Sequence, residues 1–263
     1  MQIGCDTFLN ELEAWAPLSF AEEWDNCGLQ VGRRDKVVRK VMVALTPGEA
    51  AVQAAVDAGV DMLLTHHPMI FKPAKSVTTD TVLGQSIIKL IQHDINLYCA
   101  HTNLDMAVGG VNDVLAKALN LQDIEILENV TEDYGIGRVG DLAEPITLQE
   151  FLTQTAKQLA CNHLAYQGDV NRTVQRVALC GGSGISYLSA AKKAGADVYV
   201  TGDMKYHDAQ LASELGICVV DAGHFGTEKH IVKTLAEFVQ KQGLEVVTFN
   251  EDDYLHHWYV EKE

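Results

Sequence analysis

The chain has 263 residues, 47 % of them apolar and 21 % charged, a composition that excludes a disordered chain and a disulfide-stapled miniprotein. Lys plus Arg number 20 against 36 Asp plus Glu, so the formal charge is −16. A net-anionic surface repels phosphate backbones, which argues against nucleic acid as a partner of the outer surface. Length alone leaves open one large domain, two ordinary ones, or a barrel of eight β/α units.

The opening segment MQIGCDTFLNELEAW is acidic and amphipathic, without the basic start and apolar stretch of a signal peptide. No run approaches the roughly 18 uninterrupted apolar residues of a membrane helix, so no membrane partner is expected. Cys5, Cys27, Cys99, Cys161, Cys180 and Cys218 show no CxxC spacing. They read as reduced thiols of a cytoplasmic protein, and a structural zinc ribbon is excluded.

The strongest organisational signal is an internal repeat. Residues 38–71 align without a gap on 174–207 at an offset of 136, with Val38/Val174, Val41/Val177, Gly48/Gly184, Ala54/Ala190, Ala55/Ala191, Ala58/Ala194, Gly59/Gly195, Asp61/Asp197 and Thr65/Thr201 identical. Each copy reads as strand, tight turn, helix, glycine stop and second strand. Both run on through a further helix to a third strand, INLYCAH at 95–101 and ICVVDAGH at 217–224. The expectation is an α/β protein of two similar halves, 1–128 and 129–263, with mainly parallel strands and helices outside. TEDYGIGRVGDL, at the junction, reads as a strand or hairpin and not as a linker. The C-terminal segment belongs to the second half in this division, with packing back onto the first left open.

Chemistry gathers at the strand ends. His66 and His67 follow the apolar run MLLT and precede Pro68, at the carboxyl edge where open α/β sheets collect ligands. Neighbouring strand side chains point to opposite faces, so the two histidines suit two different ions better than one. The third strands end in AHTNLD and AGHFGTE, so His101 and Asp105 recur as His224 and Glu228 at the same spacing. Positions i and i+4 share a face of a helical turn and can hold one ion. Four imidazoles and two carboxylates suit a pair of borderline divalent ions such as Zn, Fe, Mn or Co better than Ca or Mg.

Asp203 occupies the repeat position of His67, and Tyr206 and His207 follow it. Asp203 and His207 are the candidate catalytic residues, with His207 as general acid or base. Asp25 and Asn26 either reach a ligand or cap a turn, and Thr102 and Asn103 either orient ligands or do not. Gly181–Gly184 reads as a tight turn more readily than as a phosphate cradle, since it lacks the GxxxxGK[ST] pattern. His256 and His257 sit in an alternating, strand-like stretch without a carboxylate at ligand spacing, and His93, His163 and His230 read as solvated. No GxSxG elbow supports covalent acyl transfer.

The segments WDNCGLQVG (24–32), LLTHHPMIF, AHTNLD, TGDMKYHDA and DAGHFGTE, in this order, resemble the GTP cyclohydrolase I type 2 homologue family, the Nif-three-like proteins, from about residue 20 to 230. The resemblance implies two intertwined α/β/α domains, a di-metal site between them and a ring-shaped homohexamer. By matched motif the family's ligands fall on His66, His67, His101, Asp105, His224 and Glu228. The family name adds a hydrolytic reaction on a small-molecule substrate, a nucleotide- or pterin-like heterocycle. Bound ions would activate water for it, Asp105 and Glu228 would neutralise the ions, and His207 would move protons. The alternative is a non-catalytic metal-binding ring acting as a binding or regulatory adaptor. A phosphoesterase barrel needs eight equivalent units, where only two longer copies can be traced.

Overall fold

The structure is a computed structural model describing residues 2–131 and 133–256; His257 lies outside these. In chain order the elements are β1 (Ile3–Gly4), α1 (Cys5–Trp15), β2 (Gly28–Val31), β3 (Val37–Val38), β4 (Lys40–Ala44), α2 (Glu49–Asp57), β5 (Met62–Thr65), α3 (Val82–Gln92), β6 (Asn96–Cys99), α4 (Thr102–Met106) and α5 (Val111–Ala118). There follow β7 (Gln122–Asn129), β8 (Gly135–Thr147), α6 (Leu148–Gln158), β9 (Ala165–Gln167), β10 (Thr173–Leu179), α7 (Leu188–Lys193), β11 (Val198–Thr201), α8 (Tyr206–Leu215), β12 (Cys218–Asp221), α9 (His224–Glu228), α10 (Ile231–Lys241) and β13 (Glu245–Thr248).

Two compact units emerge, and neither is one continuous stretch. Among the described residues the first holds 2–111 and 230–251, and the second holds 112–131, 133–229 and 252–256. A linear division at 128/129 therefore assigns 112–128 and 230–251 to other partners than the structure does. The physical reason is strand pairing: β13 lies parallel to β4, Glu245 opposite Lys40, and completes the first sheet. That sheet runs β13-β4-β5-β6-β2, with only β2 antiparallel.

The second sheet runs β7-β8-β10-β11-β12-β9. Its centre, β10-β11-β12, is parallel, while β7, β8 and β9 pair antiparallel, so the expected parallel bias holds there only in the centre. Residues 135–142 of the junction segment lie in β8, which pairs antiparallel with β7.

The duplicated parts agree in register. Val41 pairs with Met62 in the first sheet, and Val177 pairs with Val198 in the second, positions related by the same offset of 136. Each copy is pinned by its aspartate. Asp61 Oδ2 accepts the Arg39 and Lys40 N–H groups at 2.7 and 3.1 Å, and Asp197 Oδ2 accepts those of Gln175 and Arg176 at 3.0 Å each. Gly59 (φ +59°) and Gly195 (φ +76°) stop α2 and α7 in the left-handed region.

Every residue of β5, β6 and β11 is buried, because helices cover both faces of parallel strands. Met42, Leu63, Ile87, Leu90 and Leu97 anchor the first core, and Phe151, Leu179, Val198 and Val220 the second. Each such side chain contributes about 1.5–3 kcal/mol on leaving water. Among the described residues no helix is long and apolar enough to cross a membrane.

Candidate metal centre

In the first unit, β5 delivers His66 and His67 at its carboxyl end, and β6 delivers His101 just before α4. One ligand atom from each of these three lies within 4.8 Å of the others. Every ring is held at Nδ1. His66, fully buried, donates from Nδ1 to Ala100 O at 2.8 Å, and its Nε2 lies 3.6 Å from Asp105 Oδ1. His67 Nδ1 meets Thr46 Oγ1 at 3.0 Å. His101 Nδ1 meets both Asp25 oxygens at 2.9 Å. Pinning Nδ1 orients each ring and leaves Nε2 as the nitrogen able to meet an ion; the carbonyl and the carboxylate also fix the tautomers of His66 and His101.

Asp25 is the residue that sequence reasoning left undecided, and it turns out to be central. Its side chain is fully buried and also accepts from Thr102 N at 3.1 Å, Thr102 Oγ1 at 2.6 Å and Cys27 Sγ at 3.0 Å. Burial alone would raise its carboxyl, but the hydrogen bonds from His101 and Thr102 outweigh it and hold the group well below the usual carboxylate range. Burial, with the Asp25 charge beside it, pushes the Cys27 thiol up to about 12.

In the second unit, α9 places His224 and Glu228 one turn apart, with Nε2 and Oε2 3.1 Å from each other. Asp203 Oδ2 holds His224 Nδ1 at 2.8 Å. Asp203 thus does for His224 what Asp25 does for His101, from a backbone at φ +58°. Burial would lower the His224 pKa, but Glu228 and Asp203 raise it to about 10. His207 stands exposed on the first turn of α8, its Nδ1 3.4 Å from Gln210 Oε1.

The glycine turn contributes something its sequence did not announce. A Cβ on Gly182 (φ +60°) would stand 2.2 Å from Glu228 Oε1 and 3.3 Å from His224 Nε2, so only glycine admits the carboxylate there. The N–H groups of Gly181, Gly182 and Gly184 donate to Asn112 Oδ1, Thr227 Oγ1 and Thr201 Oγ1. The turn is therefore a packed βα connection, with those donors already committed to side chains. His93 is exposed, as expected, whereas His163 and His230 are half-buried.

Imidazole nitrogens oriented from behind, with carboxylates alongside, form a donor set that fits borderline divalent ions. The molecule thus falls in a class of duplicated α/β proteins whose strand ends carry imidazole–carboxylate clusters able to hold metal. The profile of Duf34/NIF3 (NGG1p interacting factor 3) matches residues 3–253. A Clostridium perfringens protein named GTP cyclohydrolase 1 type 2 homolog is 39 % identical over 236 residues, 89 % of this chain and 90 % of its own length. The crystal structure of a Bacillus cereus protein related to NIF3 superposes with a TM-score of 0.89 at 28 % identity, covering 98 % of this chain and 99 % of that one. The structure titled reduced HcgD from Methanocaldococcus jannaschii superposes with a TM-score of 0.80 at 35 % identity, covering 94 % and 98 %. The chain belongs to the Duf34/NIF3 family.

Proposed function

We propose that this protein is a di-metal hydrolase acting on a nucleotide- or pterin-like heterocycle. The observation that carries the reading is the common anchoring of four imidazoles at Nδ1, by Ala100 O, Thr46, Asp25 and Asp203. Such anchoring is the usual companion of metal-ligating histidine.

His66, His67, His101 and Asp105 of the first unit and His224 and Glu228 of the second would hold two divalent ions, Zn, Fe, Mn or Co by donor type. Neither set is complete alone: the second unit has Gly202 and Asp203 at the repeat positions of His66 and His67. Ions held there supply Lewis acidity and an activated water at neutral pH.

The chain's own residues divide the other tasks. Asp105 and Glu228 offset the positive charge, and Asp25 and Asp203 fix the rings of His101 and His224. Asp203 in this role positions a ligand; the proton carrier is His207, exposed four residues further on. The assembly proposed is a homohexamer, for which light scattering should give a mass near six chains. Support for the substrate class comes from the name shared by the curated relatives.

The test is metal analysis and turnover of Glu228→Gln beside His66→Ala, with Mn²⁺, Fe²⁺ or Zn²⁺ and a panel of nucleotides, cyclic amides and phosphoesters. Wild type should hold close to two ions per chain. Each variant should lose at least about 10–100-fold in metal affinity, together with turnover. Two full ions in Glu228→Gln would sink the shared centre. Metal without turnover on any substrate, but with capture of a partner, would favour a binding or adaptor role.

A further inference from the structure

Soluble folds seldom leave neighbouring large aromatic rings in water without a use for them. Beside the first unit's histidine cluster, Trp24 is 59 % and Phe71 46 % exposed, and their ring centroids stand 5.9 Å apart. Trp24 also meets His101, centroid to centroid at 6.3 Å. The interplanar angles to Phe71 and His101 are 66° and 78°, so neither ring lies parallel to the indole and stacks on it.

The indole does not sit on a loose loop. Asp25 N–H donates to Glu22 O, closing a turn around Trp24, and Glu22 N–H donates to Thr102 Oγ1. Asp25, next in the chain, grips His101 and Thr102. Phe71 is tied to the same frame, because Gln30 Oε1 accepts Met69 N and Ile70 N at 2.9 Å each while Asn26 Nδ2 donates to Ile70 O. The Trp24 turn is thus braced against Thr102, next to His101, and the Phe71 segment against Asn26 and Gln30.

We infer that Trp24 and Phe71 form a stacking wall that seats a planar heteroaromatic ring beside His101. The inference rests on the metal-centre reading above and names the residues that receive the flat ring of its substrate. Phe71 and His101 both lie close to the indole, at 5.9 and 6.3 Å centroid to centroid, so a ring received on Trp24 stands next to the histidine cluster. Aromatic side chains accept a planar ring on their faces, whatever its hydrogen-bonding edge. The wall therefore selects flatness, and identity must be read elsewhere in the site.

The experiment uses the metal-loaded full chain, guanosine 5′-monophosphate as the planar probe and ribose 5-phosphate as the control without a ring base, with calorimetry as the readout. Ion content is measured for every variant. Trp24→Ala should weaken binding of the nucleotide about 5–100-fold, Trp24→Phe should retain most of it, and Phe71→Ala should fall between. Ribose 5-phosphate binding and ion content should not change. The stacking wall is overturned if metal-loaded wild type binds the two probes alike, or if Trp24→Ala matches wild type for the nucleotide. Wild type that holds no metal yet shows the Trp24-dependent preference would instead overturn the metal centre and leave the wall standing.

Discussion

The two copies of the repeat share a backbone plan and use it for opposite ends. At the turn after the first strand, one copy has Thr46, whose hydroxyl meets His67 Nδ1, and the other has Gly182, whose missing side chain admits Glu228. At the end of the second strand, one copy projects His66. The other has Gly202, where a Cβ would meet His224 N at 2.7 Å and Gly182 O at 2.9 Å. One copy offers donors, while the other clears space and supplies a brace, Asp203. Duplication supplied the scaffold; divergence at a few strand-end positions divided the labour.

The largest contrast to test is one of buried charge. In the second unit Arg138, 2 % exposed, forms two bonds to Asp113 at 3.0 and 2.7 Å and donates to Gly135 O and Gly137 O. In the first, buried Lys36 pairs with Asp94, whose side chain is 61 % exposed. Asp113→Ala should cost about 3–5 kcal/mol in denaturant unfolding, because it strands a buried guanidinium. Asp94→Asn, which suits the φ of +52° there, should cost less than about 1 kcal/mol, because the carboxylate is exposed and Lys36 keeps its bonds to Asp61 O and Asp94 O. Equal costs would erase the contrast.

Next come the braces. Asp25→Asn should lower metal affinity toward the upper end of the roughly 10–100-fold range, since Asp25 is buried with several bonds. Asp203→Asn, at an exposed carboxylate, should lie near the lower end. Competition against a chelator reads both, and the reverse order would refute the ranking.

Of similar or smaller size is the effect at the paired turn positions. Gly182→Ala should displace Glu228 and weaken metal binding by at least about tenfold, and Thr46→Val, removing the hydroxyl behind His67, by about tenfold. A Gly182→Ala protein with unchanged metal affinity would show that Glu228 is no ligand.

The smallest effect, alike in both units, is at the helix caps. Thr81 accepts Gly84 N–H at the start of α3, and Thr147 forms a reciprocal capping box with Glu150 at the start of α6. Thr81→Ala and Thr147→Ala should each cost about 1 kcal/mol in thermal or denaturant unfolding.

What could be read before the structure was mostly local. The gapless offset of 136 identified strand, helix and strand twice over, and the registers at Val41/Met62 and Val177/Val198 carry the same offset. The imidazoles at strand ends were legible because strand ends are where such sheets place chemistry. Asp25 was not, because its partner His101 lies 76 residues away and a turn-capping role explained the sequence equally well. Gly182 looked like turn punctuation; only the approach of Glu228, also remote in sequence, shows why no side chain fits. Asp203 was read as a catalytic candidate; its 2.8 Å contact with His224 Nδ1, 21 residues away, was not legible in the chain. The return of the C-terminal segment was left open because a sequence can be cut only in order, whereas β13 comes back across the whole second unit to pair with β4.

That return has a consequence for synthesis on the ribosome. All six strands of the second sheet lie between residues 122 and 221, so that sheet can close while the last strand of the first is still unmade. Until β13 emerges, β4 presents a raw edge carrying Val41, Met42, Val43 and Ala44, all buried in the finished protein. An uncovered apolar strand is a template for pairing with another chain. The nascent first unit therefore passes through an interval in which it is adhesive, and the synthesis of β13 ends it.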